Sequence, residues 1–299
     1  MKPAIGMIGI GLMGHGIARN LLKHGYGLTV LEHAGNQPLD ELLAAGARVC
    51  RSAAQLAAEA DVLILCVTGS PQVEAVMLSE DGVLQGLRRG GIVIDCSTAI
   101  PSSTQRLCQV VHAAGGRFVD APMTRTPREA AEGRLNLLVG ADDDLFEQCR
   151  PLLACFAENI THVGPPGAGH RMKLLHNYVS LGFVALLAEA AACAQRAGIA
   201  ADTLVDVLAK GGGGGIALER LKPYLLQNDP SGLIFSMSNA FKDLGYYRAM
   251  ADDCEAAHRI ADGVLQTYEA ATAAAGPQAL VPELVSVLAG GSSSAAERL

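Results

Sequence analysis

Along the first half of the chain, short apolar runs alternate with longer mixed stretches. The runs are Ala4–Ile8, Leu28–Leu31, Ala47–Cys50, Val62–Val67, Ile92–Asp95, Arg117–Ala121, Leu135–Val139 and Ile160–Val163. Several, such as Val62-Leu63-Ile64-Leu65-Cys66-Val67, are apolar at every position rather than at every second one, as strands covered on both faces are. Such strands separated by helix-length segments predict a doubly wound, mostly parallel sheet. Turn and cap signals fall between the runs at Gly25, Ser52, Gly90-Gly91, Pro101-Ser102, Gly115-Gly116 and Asp142–Asp144.

The pattern changes after Gly164-Pro165-Pro166-Gly167. From Arg171 to Ala197 the chain reads as one long helix stopped by Gly198, a rod of roughly 40 Å at the α-helical rise. It is apolar nearly all round, so burial between domains or between subunits is expected. Helices are predicted over Ala201–Ala209, Ala217–Gln227, Phe235–Ala251 and Glu255–Ala274, with few strands. The expectation is an α/β domain over residues 1–164 and an all-α domain over 165–299, joined by the long helix, with "GGSSSAAERL" a frayed tail.

Composition narrows the classes. The 299 residues suffice for a sizeable core. Half the residues are hydrophobic, yet no run of 18 or more lacks a polar interruption, so no spanning helix is expected. Met1-Lys2-Pro3-Ala4-Ile5 leads directly into a strand-like run, unlike a signal peptide. Net charge is −7 with the charges scattered, which disfavours a nucleic-acid or anionic-membrane surface. The eight cysteines include no Cys-x-x-Cys pair, and several sit inside apolar runs; a reduced cytoplasm fits best. The eight histidines show no ligand spacing, so no metal is expected.

Candidate chemistry begins at Gly9-Ile10-Gly11-Leu12-Met13-Gly14. A Gly-x-Gly-x-x-Gly alone is weak evidence, but here a strand leads in and a helical stretch, Met13–Lys23, leads out. In that context the first glycine makes a tight turn, the second lets backbone approach a pyrophosphate, and the third lets helix pack on strand. This predicts a Rossmann domain. Glu32 follows Gly9 by 23 residues, at the end of the next strand. A carboxylate there accepts hydrogen bonds from ribose hydroxyls and repels a 2′-phosphate, and no arginine follows at once, so NAD is preferred over NADP; a merely solvated glutamate is the alternative. Val67 and Thr68, ending the fourth apolar run, are also assigned to the cofactor site.

The long helix opens with Gly167-Ala168-Gly169-His170-Arg171-Met172-Lys173-Leu174-Leu175-His176-Asn177. Lys173, Asn177 and Ser180 share one face. Desolvation of an ammonium there would lower its pKa toward proton exchange with a substrate hydroxyl. A lysine snorkelling at a helix end is an equal reading of the residues alone.

Five ordered motifs carry a resemblance: Gly9–Gly14 with Arg19-Asn20-Leu21, Asp95-Cys96-Ser97-Thr98, Asp120-Ala121-Pro122, Gly167-Ala168-Gly169 with Lys173-Leu174 and Asn177, and Lys242-Asp243-Leu244. Through them the chain resembles the β-hydroxyacid dehydrogenase family, the 3-hydroxyisobutyrate dehydrogenase group, over almost its whole length. The resemblance implies Lys173 as catalytic acid/base and Asn177 as the residue positioning substrate. It places Thr98 and Lys242 beside the nicotinamide, and it implies dimers or tetramers built through the C-terminal domain.

One stretch departs from the family pattern. Where relatives have Asp-Ala-Pro-Val-Ser-Gly-Gly, this chain has Asp120-Ala121-Pro122-Met123-Thr124-Arg125-Thr126. An arginine between two threonines suits a two- or three-oxygen anion; a solvent-facing loop arginine is the alternative. The substitution resembles the sulfolactaldehyde reductase subgroup, in which the arginine loop receives a sulfonate. Thr124 stands where that subgroup has glycine, and His176 where it has asparagine. Lys210-Gly211-Gly212-Gly213-Gly214-Gly215 reads equally as a pocket border or a flexible connection. The sequence thus predicts a cytoplasmic NAD-dependent oxidoreductase for a small anionic 3-hydroxyacid/aldehyde pair, gripped by Thr124, Arg125 and Thr126. The favoured pair is 3-sulfolactaldehyde and 2,3-dihydroxypropanesulfonate. The 3-hydroxyisobutyrate, tartronate semialdehyde, methylmalonate semialdehyde and succinate semialdehyde types stand as alternatives. An imine reductase and a non-catalytic NAD-sensing module are rivals from other classes.

Overall fold

A computed structural model describes residues 2–290, so the expected frayed tail lies outside the described residues apart from Gly290. The chain divides into two compact units, Met1–Lys173 and Leu174–Leu299.

The first unit holds nine strands: β1 (Ile5–Ile8), β2 (Leu28–Leu31), β3 (Arg48–Cys50), β4 (Val62–Leu65), β5 (Ile92–Asp95), β6 (Arg117–Asp120), β7 (Met123–Thr124), β8 (Leu135–Gly140) and β9 (Ala157–Gly164). Between them lie α1 (Leu12–Lys23), α2 (Asp40–Ala44), α3 (Ala53–Glu59), α4 (Ser70–Leu78), α5 (Val83–Gly86), α6 (Pro101–Ala113), α7 (Pro127–Glu132) and α8 (Asp143–Leu153). The sheet runs β3-β2-β1-β4-β5-β6-β8-β7, with β9 also pairing β8. β3 to β6 pair in parallel, and β8 is antiparallel to β6 and β7. The fully apolar runs fill two clusters, one containing Met7, Val30, Ile64 and Ile94, the other Leu63, Leu65, Val93 and Phe118. A sheet with a hydrophobic cluster on each face is the outcome the unbroken apolar runs require. β7 is the one strand the pattern did not announce, because two residues are too short to show a period.

The sheet brings the loops of interest together. Ile8, Leu65, Asp95 and Asp120 lie in register across β1, β4, β5 and β6. The strand order reverses between β1 and β4, the place where open α/β sheets bind ligands beyond their carboxyl ends.

The long helix is α9 (Ala168–Arg196), and it runs through the division after Lys173. The change of sequence texture at Gly164 thus precedes the division by nine residues, because the first turns of α9 are anchored to the sheet. The second unit continues with α10 (Ala201–Ala209), α11 (Ile216–Gln227), α12 (Met237–Asp253), α13 (Arg259–Ala275) and α14 (Leu284–Leu288). Its core joins Leu181, Val184, Ala188 and Ala191 of α9 to Leu221, Leu244, Tyr268 and Leu284. Within the single chain one face of this helix stays open: Leu175, Val179, Phe183 and Leu186 stand exposed, so the second unit alone does not bury it all round. By length and composition α9 could also cross a membrane, which a search for unbroken apolar runs missed. Leu181, Val184, Ala188 and Ala191 of this helix are nonetheless buried in the core of the second unit.

Candidate active site

The three glycines of the first loop differ in their surroundings. Gly9 has φ +94°, and a Cβ there would lie 2.3 Å from the Cys66 carbonyl oxygen. A Cβ on Gly14 would lie 2.0 Å from the Gly9 carbonyl oxygen. Gly11, the residue before α1, has nothing within 4 Å of its absent Cβ. Two glycines are therefore required by packing, and the middle one leaves open space at the N-terminus of α1. That is where backbone N–H groups and the helix dipole favour a pyrophosphate. Leu12 is exposed at this edge, while Met13 packs partly against the core. The loop thus fits a dinucleotide.

Glu32 follows β2 directly, and its backbone N–H donates to the Cys50 carbonyl. Because Leu31 pairs with Cys50, the next residues of both strands lie side by side. Arg51 Nε reaches Glu32 Oε2 at 2.6 Å. Reading only the residues next to Glu32 missed this arginine, since the sheet supplies it from 19 positions away.

Val67 and Thr68 leave the end of β4, with Val67 half-buried and Thr68 exposed. Ser97 Oγ accepts the Val67 N–H at 3.0 Å, which ties that loop to the one carrying Thr98. Ser97 N–H in turn donates to Asp95 Oδ1 at 2.9 Å.

Asp120, at the end of β6, is wholly buried and holds the start of α9. Its Oδ1 accepts the Gly167 N–H at 2.6 Å and its Oδ2 the His170 N–H at 2.7 Å. A helix N-terminus has unpaired N–H groups, and a carboxylate from the sheet satisfies two of them here. Burial pushes the Asp120 carboxyl above its ordinary range, with His170 and the two N–H donors pulling it back. The glycines permit the approach: a Cβ on Gly169 would lie 2.4 Å from the Leu138 carbonyl oxygen, and one on Gly140 2.4 Å from Asp120 Oδ1. Lys173 follows His170 by one turn of this anchored helix and is half-buried.

The Thr-Arg-Thr segment is more engaged than its sequence implies. Thr124, in β7, accepts a hydrogen bond from Asn136 Nδ2 at 3.1 Å, and Asn136 is itself bonded by Asn159. Thr126 opens α7 as a capping box: its N–H and hydroxyl both donate to the Glu129 carboxylate, holding that acid below its usual range. Arg125 sits at φ +81°, in the left-handed region that favours glycine. Its Nη1 pairs with Glu158 and with the Arg134 carbonyl. α7 is clasped to α1, since Asn20 Nδ2 donates to the Gly16 and Ala130 carbonyls, each at 2.9 Å.

In the second unit, Asn177 Nδ2 donates to Asp243 Oδ2 at 2.6 Å, and Lys242 Nζ pairs with Asp243 Oδ1 at 2.7 Å. Lys242 also lies over the Tyr246 ring. Asp243 is buried and joins the two expected site residues; it was visible in sequence only as the middle of Lys242-Asp243-Leu244. The glycines 211–215 form the turn between α10 and α11, with Lys210 paired to Asp206.

Comparisons with known proteins agree with this arrangement. Residues 4–164 match the NAD binding domain of 6-phosphogluconate dehydrogenase. Residues 167–288 match the NAD-binding domain of NADP-dependent 3-hydroxyisobutyrate dehydrogenase. The chain is 36% identical over 234 residues to an NAD-dependent L-serine dehydrogenase of Pseudomonas aeruginosa, covering 78% of each. It is 33% identical to 2-(hydroxymethyl)glutarate dehydrogenase of Eubacterium barkeri, over 81% of this chain and 80% of that one. The structure of Mycobacterium tuberculosis 3-hydroxyisobutyrate dehydrogenase with L-serine superposes with TM-score 0.86 at 26% identity, over 96% of this chain and 99% of that one. A dinucleotide loop on a doubly wound sheet, followed by a helical unit led by the long lysine-bearing helix, has the family's domain order throughout. The chain belongs to the β-hydroxyacid dehydrogenase family of NAD-dependent oxidoreductases acting on CH–OH groups.

Proposed function

We propose that the chain reduces a small anionic semialdehyde to its hydroxyacid with NADH, with 3-sulfolactaldehyde/2,3-dihydroxypropanesulfonate the favoured pair. The observation that carries the anionic substrate is Arg125, held at φ +81°. A non-glycine residue there costs on the order of 1 kcal/mol, and such strain gathers at functional sites. Its contacts run through Nη1, and the remaining N–H groups of the guanidinium fork suit a sulfonate or carboxylate. The Thr124 hydroxyl, accepting from Asn136, keeps its own hydrogen for an anion oxygen.

Lys173 is the proton-exchanging group and Asn177 the positioning one, four residues apart on one face of α9. Gly9, Gly11, Gly14, Glu32, Val67, Thr68, Thr98 and Lys242 hold the cofactor, which supplies the hydride. Glu32 favours NAD. L-serine, 2-(hydroxymethyl)glutarate and 3-hydroxyisobutyrate, for which the relatives are named, each carry a primary alcohol close to a carboxylate. A carboxylated substrate is therefore the second reading. The exposed Leu175, Val179, Phe183 and Leu186 stripe supports a homodimer or homotetramer, and the free cysteines a cytoplasmic setting.

The test is NADH turnover with sulfonated, carboxylated and neutral aldehydes and cyclic imines. The sulfonated aldehyde is expected to give the highest kcat/KM; a preference for a neutral aldehyde or an imine would refute the proposal. Lys173→Ala should lower kcat by about 10²-fold or more with NADH affinity kept.

A further inference from the structure

His170 is wholly buried, and no role for it follows from the glycine loop or from the lysine face. Its ring lies among three segments of the first unit. Nε2 is 3.1 Å from the Ser97 carbonyl oxygen, in the loop that carries Thr98. Nδ1 is 2.8 Å from Thr104 Oγ1, on α6. Two carboxylates flank the ring: Asp95 Oδ2 lies 3.9 Å from Nε2, and Asp120 Oδ2 lies 3.8 Å from Nδ1.

The hydrogen bonds assign the protons. A carbonyl oxygen only accepts, so Nε2 carries a hydrogen directed at Ser97. Thr104 Oγ1 lies 2.8 Å from Nδ1 and 3.2 Å from the Ile100 carbonyl oxygen; with Nε2 carrying the ring hydrogen, the nearer Nδ1 accepts from the hydroxyl, so both ring nitrogens have a partner. Asp95, beside the ring, is 1% exposed, and its Oδ2 has no hydrogen-bond partner among the described residues. The thiols nearby stay neutral, since burial, reinforced by Asp95, pushes Cys66 up to about 12 and Cys96 well above its ordinary value.

We infer that His170 is a positioning residue: its ring, bonded to the Ser97 carbonyl and Thr104 and held between Asp95 and Asp120, fixes the first turn of α9, and with it Lys173, against the loop carrying Thr98. This rests on the reading of Lys173 as the proton-exchanging group. The backbone N–H of His170 on Asp120 and its ring on Ser97 clamp the helix start to two adjacent strand ends. Loosening that clamp displaces the lysine by a fraction of an ångström without touching substrate.

The experiment compares His170→Gln, Thr104→Val and Lys173→Ala. Glutamine keeps a donor for Ser97 but lacks a ring that also meets Thr104. His170→Gln should lower kcat about tenfold or more, the scale of a small misplacement, with KM for NADH within about twofold of the parent. Thr104→Val, which removes only the partner of Nδ1, should cost about threefold in kcat. Nitrogen-15 NMR of the unsubstituted protein should show one buried imidazole protonated at Nε2, a result that stands even where a variant fails to fold. Parent kcat in folded His170→Gln while Lys173→Ala is inactive would overturn this inference alone. So would a buried ring with no hydrogen on Nε2. Parent turnover in Lys173→Ala would overturn the reading beneath it as well.

Discussion

The glycine loop and the Thr124-Arg125-Thr126 loop leave the same edge of one sheet, and they differ in what holds them. At Gly9–Gly14 the backbone is the recognising group, and its shape follows from the absence of side chains: Gly9 and Gly14 close on neighbouring carbonyls, and Gly11 stays open. At Thr124–Thr126 the groups proposed to bind the substrate are side chains, and each has a partner: Asn136 for Thr124, Glu158 and the Arg134 carbonyl for Arg125, and Glu129 in the same turn for Thr126. A backbone site is legible from its residues. A side-chain site depends on what the fold places beside it.

The sharpest break in that comparison is expected within the glycine loop. Gly14→Ala drives a Cβ into the Gly9 carbonyl and should destabilise the protein by about 3 kcal/mol, read as a fall in Tm. Gly11→Ala meets nothing in the protein, so its Tm should stay near the parent's while NADH affinity drops about tenfold, measured by fluorescence titration. Equal Tm losses would mean the two glycines are not distinct in role.

In the other loop, Glu158 pairs with Arg125 and, on the proposed reading, competes with the substrate anion for it. Glu158→Gln should lower KM for a sulfonated or carboxylated aldehyde about threefold, and Arg125→Gly should raise it about tenfold. Neither change should move KM for a neutral aldehyde. A shift common to charged and neutral substrates would make the arginine structural.

Glu32 stands between the two cases, a single side chain with a partner across the sheet. Glu32→Ala should erode discrimination against NADPH and leave Arg51 able to meet a 2′-phosphate. Adding Arg51→Ala should reverse most of the gain in kcat/KM for NADPH. An unchanged cofactor ratio in both variants would remove Glu32 from the ribose site.

The smallest effect is expected at Thr126. Thr126→Ala removes the cap of α7 and should cost about 1 kcal/mol in denaturant unfolding, with kcat for a neutral aldehyde unaltered.

Much of the fold was open to reading because its signals are local. Apolar runs marked eight strands, several of them unbroken because a strand buried on both faces has no polar side to show. Gly198 ended α9 as expected. β7 was too short to have a period, and the all-round apolar surface of α9 did not say which face the second unit covers. Gly9, Gly11, Gly14 and the Lys173–Asn177 face were likewise determined by sequence alone, through backbone freedom and helical spacing. Only the tertiary structure decided that Arg51 meets Glu32, that Glu158 meets Arg125, that Asp243 joins Asn177 to Lys242, and that His170 lies between Asp95 and Asp120. Apart from the adjacent Lys242 and Asp243, these partners are 19 to 75 positions apart, and their electrostatics arise from strand order and helix docking, which bring together charges that no local pattern links.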